Sequence, residues 1–550
     1  MGMDVRRLAA AAAVVAVTVL AIQLGGVSGN LVFKVENKFR IGGKERTLSA
    51  LKAHDDRRRG RILSSVDLPM GGNGHPSETG LYFAKIGLGS PSKDYYVQVD
   101  TGSDILWVNC AGCSKCPTKS DLGIELTLFD PAKSETSGEV GCNDDYCIST
   151  YDGELPGCKS GIDCQYSVTY GDGSSTSGYF VKDYVQLEQA TGNLQTGKLN
   201  TSIIFGCGAK QSGDLGSSSE AAVDGILGFG QANSSMLSQL AAAGKVKKEF
   251  AHCLDVVKGG GIFAIGDVVS PIVSTTPLVP NMPHYNVNLK AVEVGGDVLQ
   301  LPTDLFETGG RRGTIIDSGT TLAYLPSDLF EPLMTKIMYR QQGLQLHTVE
   351  DQFSCFKFSQ NVDNGFPAVK FHFENSLTLT VYPHEYLFLI SEDTWCFGWQ
   401  NGGVQSHDGK QTILLGDLVL SSKLVVYDMV NQTIGWTEYN CSSSIKIKDE
   451  KSGAVYSIGA HDISLAFSLT AGRFLMPLLF SEGSRGKQVM GWVAKARGEK
   501  SVAYSILVLV RPSRVQFTNE LQSSSLAGQG TASMAPSESC DLKLETDSKI

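Results

Sequence analysis

Two short stretches carry residues that could do chemistry. The first is Val97-Gln98-Val99-Asp100-Thr101-Gly102-Ser103. The second is Thr314-Ile315-Ile316-Asp317-Ser318-Gly319-Thr320. Each sets one carboxylate at the end of an apolar, β-branched run, with a glycine two residues on and a hydroxyl three residues on. A single Asp-Thr-Gly or Asp-Ser-Gly reads as an Asx turn. Here the unit occurs twice, and each copy is followed by an apolar-apolar-glycine step, Ile226-Leu227-Gly228 and then Leu414-Leu415-Gly416. Two carboxylates held close cannot both ionise cheaply, so such a pair shares one proton. The ionised member takes a proton from water, and the protonated member polarises a carbonyl. That chemistry hydrolyses an amide with neither a metal nor a covalent nucleophile. Gly102 and Gly319 let the backbone approach the carboxylates. Ser103 and Thr320 supply hydroxyls that hold the outer oxygens in plane.

The elements that must position these residues are short strands. From Tyr82 onward the chain alternates in short runs: Tyr82–Ile86, Tyr95–Val99, Ile105–Val108, Tyr166–Tyr170, Ile203–Phe205, Tyr285–Leu289 and Leu424–Tyr427. Glycine-rich turns separate them, which predicts a mostly β protein. Short helices are predicted near Ser235–Ala243 and Ser327–Arg340. The repeated two-part signature predicts two related lobes, 76–275 and 276–441, with the break in a proline cluster at Pro271, Pro277, Pro280 and Pro283. Tyr170 opens the polar turn Gly171-Asp172-Gly173-Ser174 after the run Gln165–Thr169. It is either an ordinary hairpin or one that closes over a bound peptide and excludes water. Trp107, seven residues after Asp100, is by itself either core or part of the site.

Taken together, the motifs between about Tyr82 and Cys441 resemble the pepsin family, and within it the cysteine-rich plant-type (nepenthesin-like) branch. The resemblance covers about two-thirds of the chain. Asp100-Thr101-Gly102-Ser103 and Asp317-Ser318-Gly319-Thr320 match its two catalytic motifs, and serine at 318 is usual in that branch. Trp107 matches the tryptophan behind the flap, and Tyr170 matches the flap tyrosine. Asp224-Gly225-Ile226-Leu227-Gly228 and Leu415-Gly416-Asp417 match the segments that cross beneath each aspartate. The resemblance implies a bilobal acid protease fold, two β-barrel lobes of six-stranded type with the active site in the cleft between them. It implies an endopeptidase that cuts between bulky apolar side chains, with no cofactor. Its site would consist of Asp100 and Asp317, with Tyr170, Gly102, Ser103, Trp107, Gly319, Thr320 and Ile226 around them. A catalytically dead binding or inhibitor protein on the same fold is the alternative.

The flanks carry targeting and control signals. Arg6 and Arg7 precede an uncharged run, Leu8–Val27, then Ser28 and Gly29. This reads as a secretory signal peptide over residues 1–29, or else as a retained signal anchor. Residues 31–70 hold ten Lys or Arg against five acids, a net of +5, in a chain whose net charge is -10. With the zymogens of the family in view, residues 30–75 read as a propeptide whose cations lie over the cleft. A solvated linker is the bland alternative. Of 13 cysteines, twelve lie between Cys110 and Cys441. In a secreted chain these imply disulfides. The rival is zinc at Cys110, Cys113 and Cys116. The seven cysteines from Cys110 to Cys164 are an odd number, so one must pair outside that group. Asn200, Asn233, Asn431 and Asn440 begin glycosylation sequons.

Other chemistries fit poorly. The acidic balance argues against nucleic acid as a partner. There is no His-Glu-x-x-His and no Gly-x-Ser-x-Gly. The expected partners are protein or peptide substrates, met by a monomer of the extracellular space, cell wall or vacuole. The tail, 442–550, is expected to be partly disordered. Its apolar runs, Leu465–Leu469 and Phe474–Phe480, leave membrane attachment through this region as an alternative, while the charged sequence after them argues against a lipid anchor.

Overall fold

The computed structural model describes residues 64–461, except 78, 218–220, 307–312, 351, 406–410 and 450–451, and four strands between 480 and 518. The signal segment, the run Arg57–Arg61 and Cys540 lie outside the described residues.

The fold is mostly β, in two related halves. In the first half, strands Leu81–Leu88 and Lys93–Asp100 pair antiparallel, with Phe83 opposite Gln98. Gly225–Gly228 inserts between Lys93–Asp100, to which it is parallel, and Leu106–Ser114, to which it is antiparallel. Buried on both faces, this strand has no polar side chain. The second half repeats the motif in shorter form. Thr314–Ile316 runs parallel to Leu414–Leu415, with Ile316 opposite Leu415. The predicted helices appear as Met236–Ala242 and Ser327–Met338.

One sheet joins the halves. Strand Glu249–Leu254 pairs with Gly261–Ile265 on one side and with Lys423–Asp428 on the other. Lys423–Asp428 continues to Thr433–Glu438, and that strand to Thr275–Pro277. Phe229, Phe250, Phe263, Tyr285 and Tyr427 pack their rings on this junction. The Cys253–Cys441 disulfide ties its two sides.

The fold extends past both expected boundaries. Residues 64–73, expected within the 30–75 propeptide, are built into the first half. Val66–Asp67 sits between Gly261–Ile265 and Ser175–Gly192, and Met70–Asn73 pairs with Leu81–Leu88. The basic run has ended by then, and Val66, Leu68 and Met70 alternate into the core, each wholly buried. Residues 442–461, expected in the tail, also belong to the fold. Ser444–Lys448 pairs with Asp267–Ser270 and with Val455–Gly459. Ile445, Ile447 and Ile458 are buried there. His461 then exchanges two backbone hydrogen bonds with Gly261 and sets its Nε2 2.9 Å from Asp67. Farther on, in a separate unit that begins at Ala466, Phe480–Gly483, Lys487–Ala494, Tyr504–Arg511 and Arg514–Thr518 form an antiparallel sheet of their own.

The twelve cysteines form six disulfides. Cys113–Cys116, Cys142–Cys158 and Cys147–Cys164 lie within the N-terminal group, and Cys110 leaves it to pair with Cys207. Cys355–Cys396 is the sixth. With Cys110, Cys113 and Cys116 all in disulfides, the zinc reading falls.

Ile447→Ala should cost about 2–5 kcal/mol of stability in urea unfolding, since its side chain is wholly buried. A chain ended after Cys441 should fail to fold, whereas one ended after Leu465 should unfold cooperatively.

Candidate active site

Asp100 and Asp317 each end a buried strand, and their side chains come together. A Cβ on Gly102 would lie 2.6 Å from Asp317 Oδ2, and a Cβ on Gly319 would overlap the Asp100 carboxylate. Each glycine of one motif therefore packs on the carboxylate of the other, and no larger residue fits.

The two loops are near copies. Gly102 N–H donates to Asp100 Oδ1 at 2.8 Å, and Gly319 N–H donates to Asp317 Oδ1 at 2.8 Å. The Ser103 hydroxyl donates to Asp100 Oδ2, and Thr320 Oγ1 donates to Asp317 Oδ2 at 2.7 Å. These bonds aim the remaining lone pairs of both carboxylates at the space between them. The loops also bond across the junction. Ser318 N–H donates to Thr101 Oγ1 at 2.8 Å, and Gln98 Nε2 to the Gly319 carbonyl at 3.2 Å. Beneath each loop a glycine lets the crossing strand pass. A Cβ on Gly228 would strike the Asp104 backbone, and one on Gly416 would strike the Thr320 carbonyl.

Burial dominates the electrostatics. Both carboxylates are 6% exposed. Burial first, and the neighbouring Asp317 second, push the Asp100 carboxyl up to about 7. One member of the pair therefore holds a proton through the acid range. Asp417 was legible only as part of the crossing segment. It is wholly buried next to both carboxylates, and its carboxyl is held well above the usual range by burial and by repulsion from Asp317 and Asp100. The signal was the position itself, since the first half has Phe229 in the same place. Asp224, which accepts from the backbone of Tyr96 and Thr127, is pushed up to about 7 by burial.

The hairpin of Gln165–Thr169 and Ser175–Gly192 carries Tyr170 at its turn. The turn closes through Tyr170 N–H to the Ser174 carbonyl, while Asp172 accepts from Ser174, and Gly173 takes φ +84°. Trp107 Nε1 donates to the Tyr170 hydroxyl at 2.7 Å. The indole is also core, 1% exposed in a cluster with Tyr166, Phe180, Ile226 and the buried cysteines 142, 147 and 164. Both readings of Trp107 therefore hold. Ile226 lies opposite Trp107 in register, at the base of the same cluster.

Such a site, two carboxylates sharing a proton at the junction of two related β halves, defines an acid endopeptidase of the pepsin type. Family models described as xylanase inhibitor N-terminal and xylanase inhibitor C-terminal match residues 82–267 and 284–438. The chain is 56% identical to aspartic proteinase 36 of Arabidopsis thaliana, over 87% of this chain and 97% of that one. It is 54% identical to aspartic proteinase 39 of the same plant, over 82% and 93%. Conglutin gamma from lupine seeds shares the fold, at TM-score 0.55 and 20% identity over 69% of this chain and 96% of that one. The chain belongs to the plant pepsin-like aspartic proteinase family. It is an aspartic endopeptidase acting on protein substrates, and the inhibitor reading is not favoured.

Asp100, Asp224 and Asp417 all carry folded-state pKa values above the ordinary 3.8. Stability from such groups is complete below that value and is lost as pH rises through their raised values, about 7 for Asp100 and Asp224. Calorimetry should therefore find a lower melting temperature at pH 7 than at pH 4.

Proposed function

We propose that Asp100 and Asp317 are the catalytic pair, working in acid on extended peptide segments laid under the Tyr170 hairpin. The mutual packing of Gly102 on Asp317 and Gly319 on Asp100 carries this reading, because it puts both carboxylates against one small space. A water held between them loses a proton to the ionised member as its oxygen attacks the scissile carbonyl. The protonated member hydrogen-bonds the carbonyl oxygen as negative charge builds there. The carboxyl proton taken from water then goes to the leaving nitrogen as the C–N bond breaks. Gly102, Ser103, Gly319 and Thr320 fix the carboxylates, while Trp107 and Ile226 support the Tyr170 hairpin that excludes water.

Asp100→Asn and Asp317→Asn should each abolish cleavage of a denatured protein between pH 3 and 7 while the protein still folds and melts in one cooperative transition. In the unaltered enzyme, pepstatin should block cutting, and kcat/KM should fall as pH rises through about 7, where the shared proton is lost. Cutting that persists in Asp100→Asn rejects the assignment.

The leader is read in the same way. Residues 1–29 direct the chain into the secretory pathway, and the basic segment from 30 to about 63 covers the cleft until acid protonates the carboxylates it pairs with. Six disulfides fit an oxidising compartment. All four sequon asparagines are exposed, as glycosylation requires. The enzyme works as a monomer outside the cell or in the vacuole. Among the described residues no helix is long and apolar enough to cross a membrane. Replacing Arg57, Arg58, Arg59 and Arg61 by Gln should speed activation near neutral pH, followed as loss of the leader on a gel; an unchanged rate removes the electrostatic lock.

A further inference from the structure

A buried ion pair that the dyad chemistry leaves unused holds the segment crossing beneath the Asp317 loop. That segment is the four-residue helix Asp417–Leu420, buried throughout. At its near end Asp417 N–H donates to the Thr320 carbonyl at 2.7 Å, and Leu418 N–H to the Thr321 carbonyl at 3.0 Å. Thr320 in turn donates its hydroxyl to Asp317 Oδ2 at 2.7 Å. At the far end, side chains take carbonyls that so short a helix leaves open. The Ser421 hydroxyl donates to the Leu418 carbonyl at 2.8 Å, and Lys423 Nζ donates to the Ser421 carbonyl at 3.1 Å. The same ammonium lies 2.7 Å from Glu385 Oε1, and the two side chains are 1% and 2% exposed. Glu385 is fixed by its other oxygen, which accepts the Tyr382 N–H at 2.9 Å.

We propose that Lys423 and Glu385 are positioning residues for the dyad, clamping the helix Asp417–Leu420 under the Asp317 loop. Every link from the pair to the carboxylate is a direct hydrogen bond, through Ser421, Leu418 and the Thr320–Thr321 backbone. The two halves differ here. In the first, Phe229 N–H donates to the Asp100 carbonyl at 2.7 Å, and Asp104 accepts from Ala232 N–H at 2.9 Å. The aspartate loop thus anchors its own crossing segment with a side chain four residues after Asp100. Four residues after Asp317 stands Thr321, whose hydroxyl donates to the Gly80 carbonyl instead. The second crossing segment takes its side-chain anchor from the far end, where Lys423 reaches back to Ser421. Between them Ser422 takes φ +56°, a left-handed turn that a serine adopts only when its neighbours are held.

Taking two charges out of water is costly, and neutral side chains of like size commonly fill such a space with no loss of stability. Burial pulls the Lys423 ammonium below its ordinary value and pushes the Glu385 carboxyl above its own. Packing alone therefore does not account for the pair, whereas a fixed donor at the Ser421 carbonyl does. When the clamp is removed, the helix end frays and the Thr320 and Thr321 carbonyls lose their fixed donors. The Asp317 carboxylate then turns out of the plane in which it shares a water with Asp100. Substrate contacts along the cleft and under the Tyr170 hairpin are left as they were.

The inference rests on Asp317 being one of the catalytic pair. Its test is the double variant Lys423→Met/Glu385→Gln, which removes both charges together and leaves the Tyr382 N–H an acceptor. Kinetics on one peptide substrate are compared with those of the unaltered enzyme and of Asp317→Asn, at a temperature where all are folded. The expected result is a kcat lower by about tenfold, the size of one hydrogen bond, with KM within about twofold. Lys423→Gln/Glu385→Gln, which can still donate to the Ser421 carbonyl, should keep kcat within about threefold of the unaltered enzyme. An unchanged kcat in Lys423→Met/Glu385→Gln overturns the inference, whatever happens to the melting temperature. So does an equal fall of kcat in both double variants, or a loss carried by KM. Should neither double variant fold, Ser421→Ala decides. It removes the hydroxyl from the Leu418 carbonyl and should lower kcat at constant KM; an unchanged kcat there overturns the inference. Cutting by Asp317→Asn overturns the dyad assignment together with it, whereas an inactive Asp317→Asn beside an unchanged Lys423→Met/Glu385→Gln overturns this inference alone.

Discussion

Two carboxylates crowded into one buried site repel each other, and every nearby element is arranged to hold them there. In water they would separate or ionise independently. Here Gly102 and Gly319 pack against the opposite carboxylates, and the backbone and hydroxyl donors of each loop occupy the outer lone pairs. The electrostatic cost is met by one proton, which burial and the neighbouring charge keep on the pair. Asp417 adds a third carboxyl to this small volume, and being wholly buried it stays protonated rather than adding charge.

Holding the pair against repulsion requires that the two halves not move apart. The joining sheet supplies that restraint. Strands from the first half and the last part of the chain pair edge to edge, a disulfide ties Cys253 to Cys441, and stacked rings fill the centre. This also explains why residues 64–73 and 442–461 are part of the fold. Each adds strands around that junction, covering edges that would otherwise expose unpaired backbone groups.

Access to the site is set from the other side. The Tyr170 hairpin rests on Trp107, and Trp107 rests on the cluster that the Cys142–Cys158 and Cys147–Cys164 bridges enclose. The cysteine-rich insertion therefore stiffens the base of the hairpin, while residues 171–173 of its turn are exposed.

The half-sites, the mostly β character and the two-fold repetition were legible in the sequence because they are local. Alternation marks a strand over a few residues, and an aspartate followed by glycine and a hydroxyl builds its own hydrogen bonds within the loop. The same local rule could have placed Val66, Leu68 and Met70 in the core, since they alternate, but the basic run before them masked it. Tertiary structure alone decided the rest. Cys110 pairs with Cys207, 97 residues away, and nothing near either cysteine announces it. His252 meets Tyr427 across 175 positions, and Asp417 reaches the dyad only because a crossing strand brings it beneath Thr320. Such contacts carry no periodicity. They exist because a buried polar group must find a partner or lose its charge, and which partner is near depends on how the sheets close.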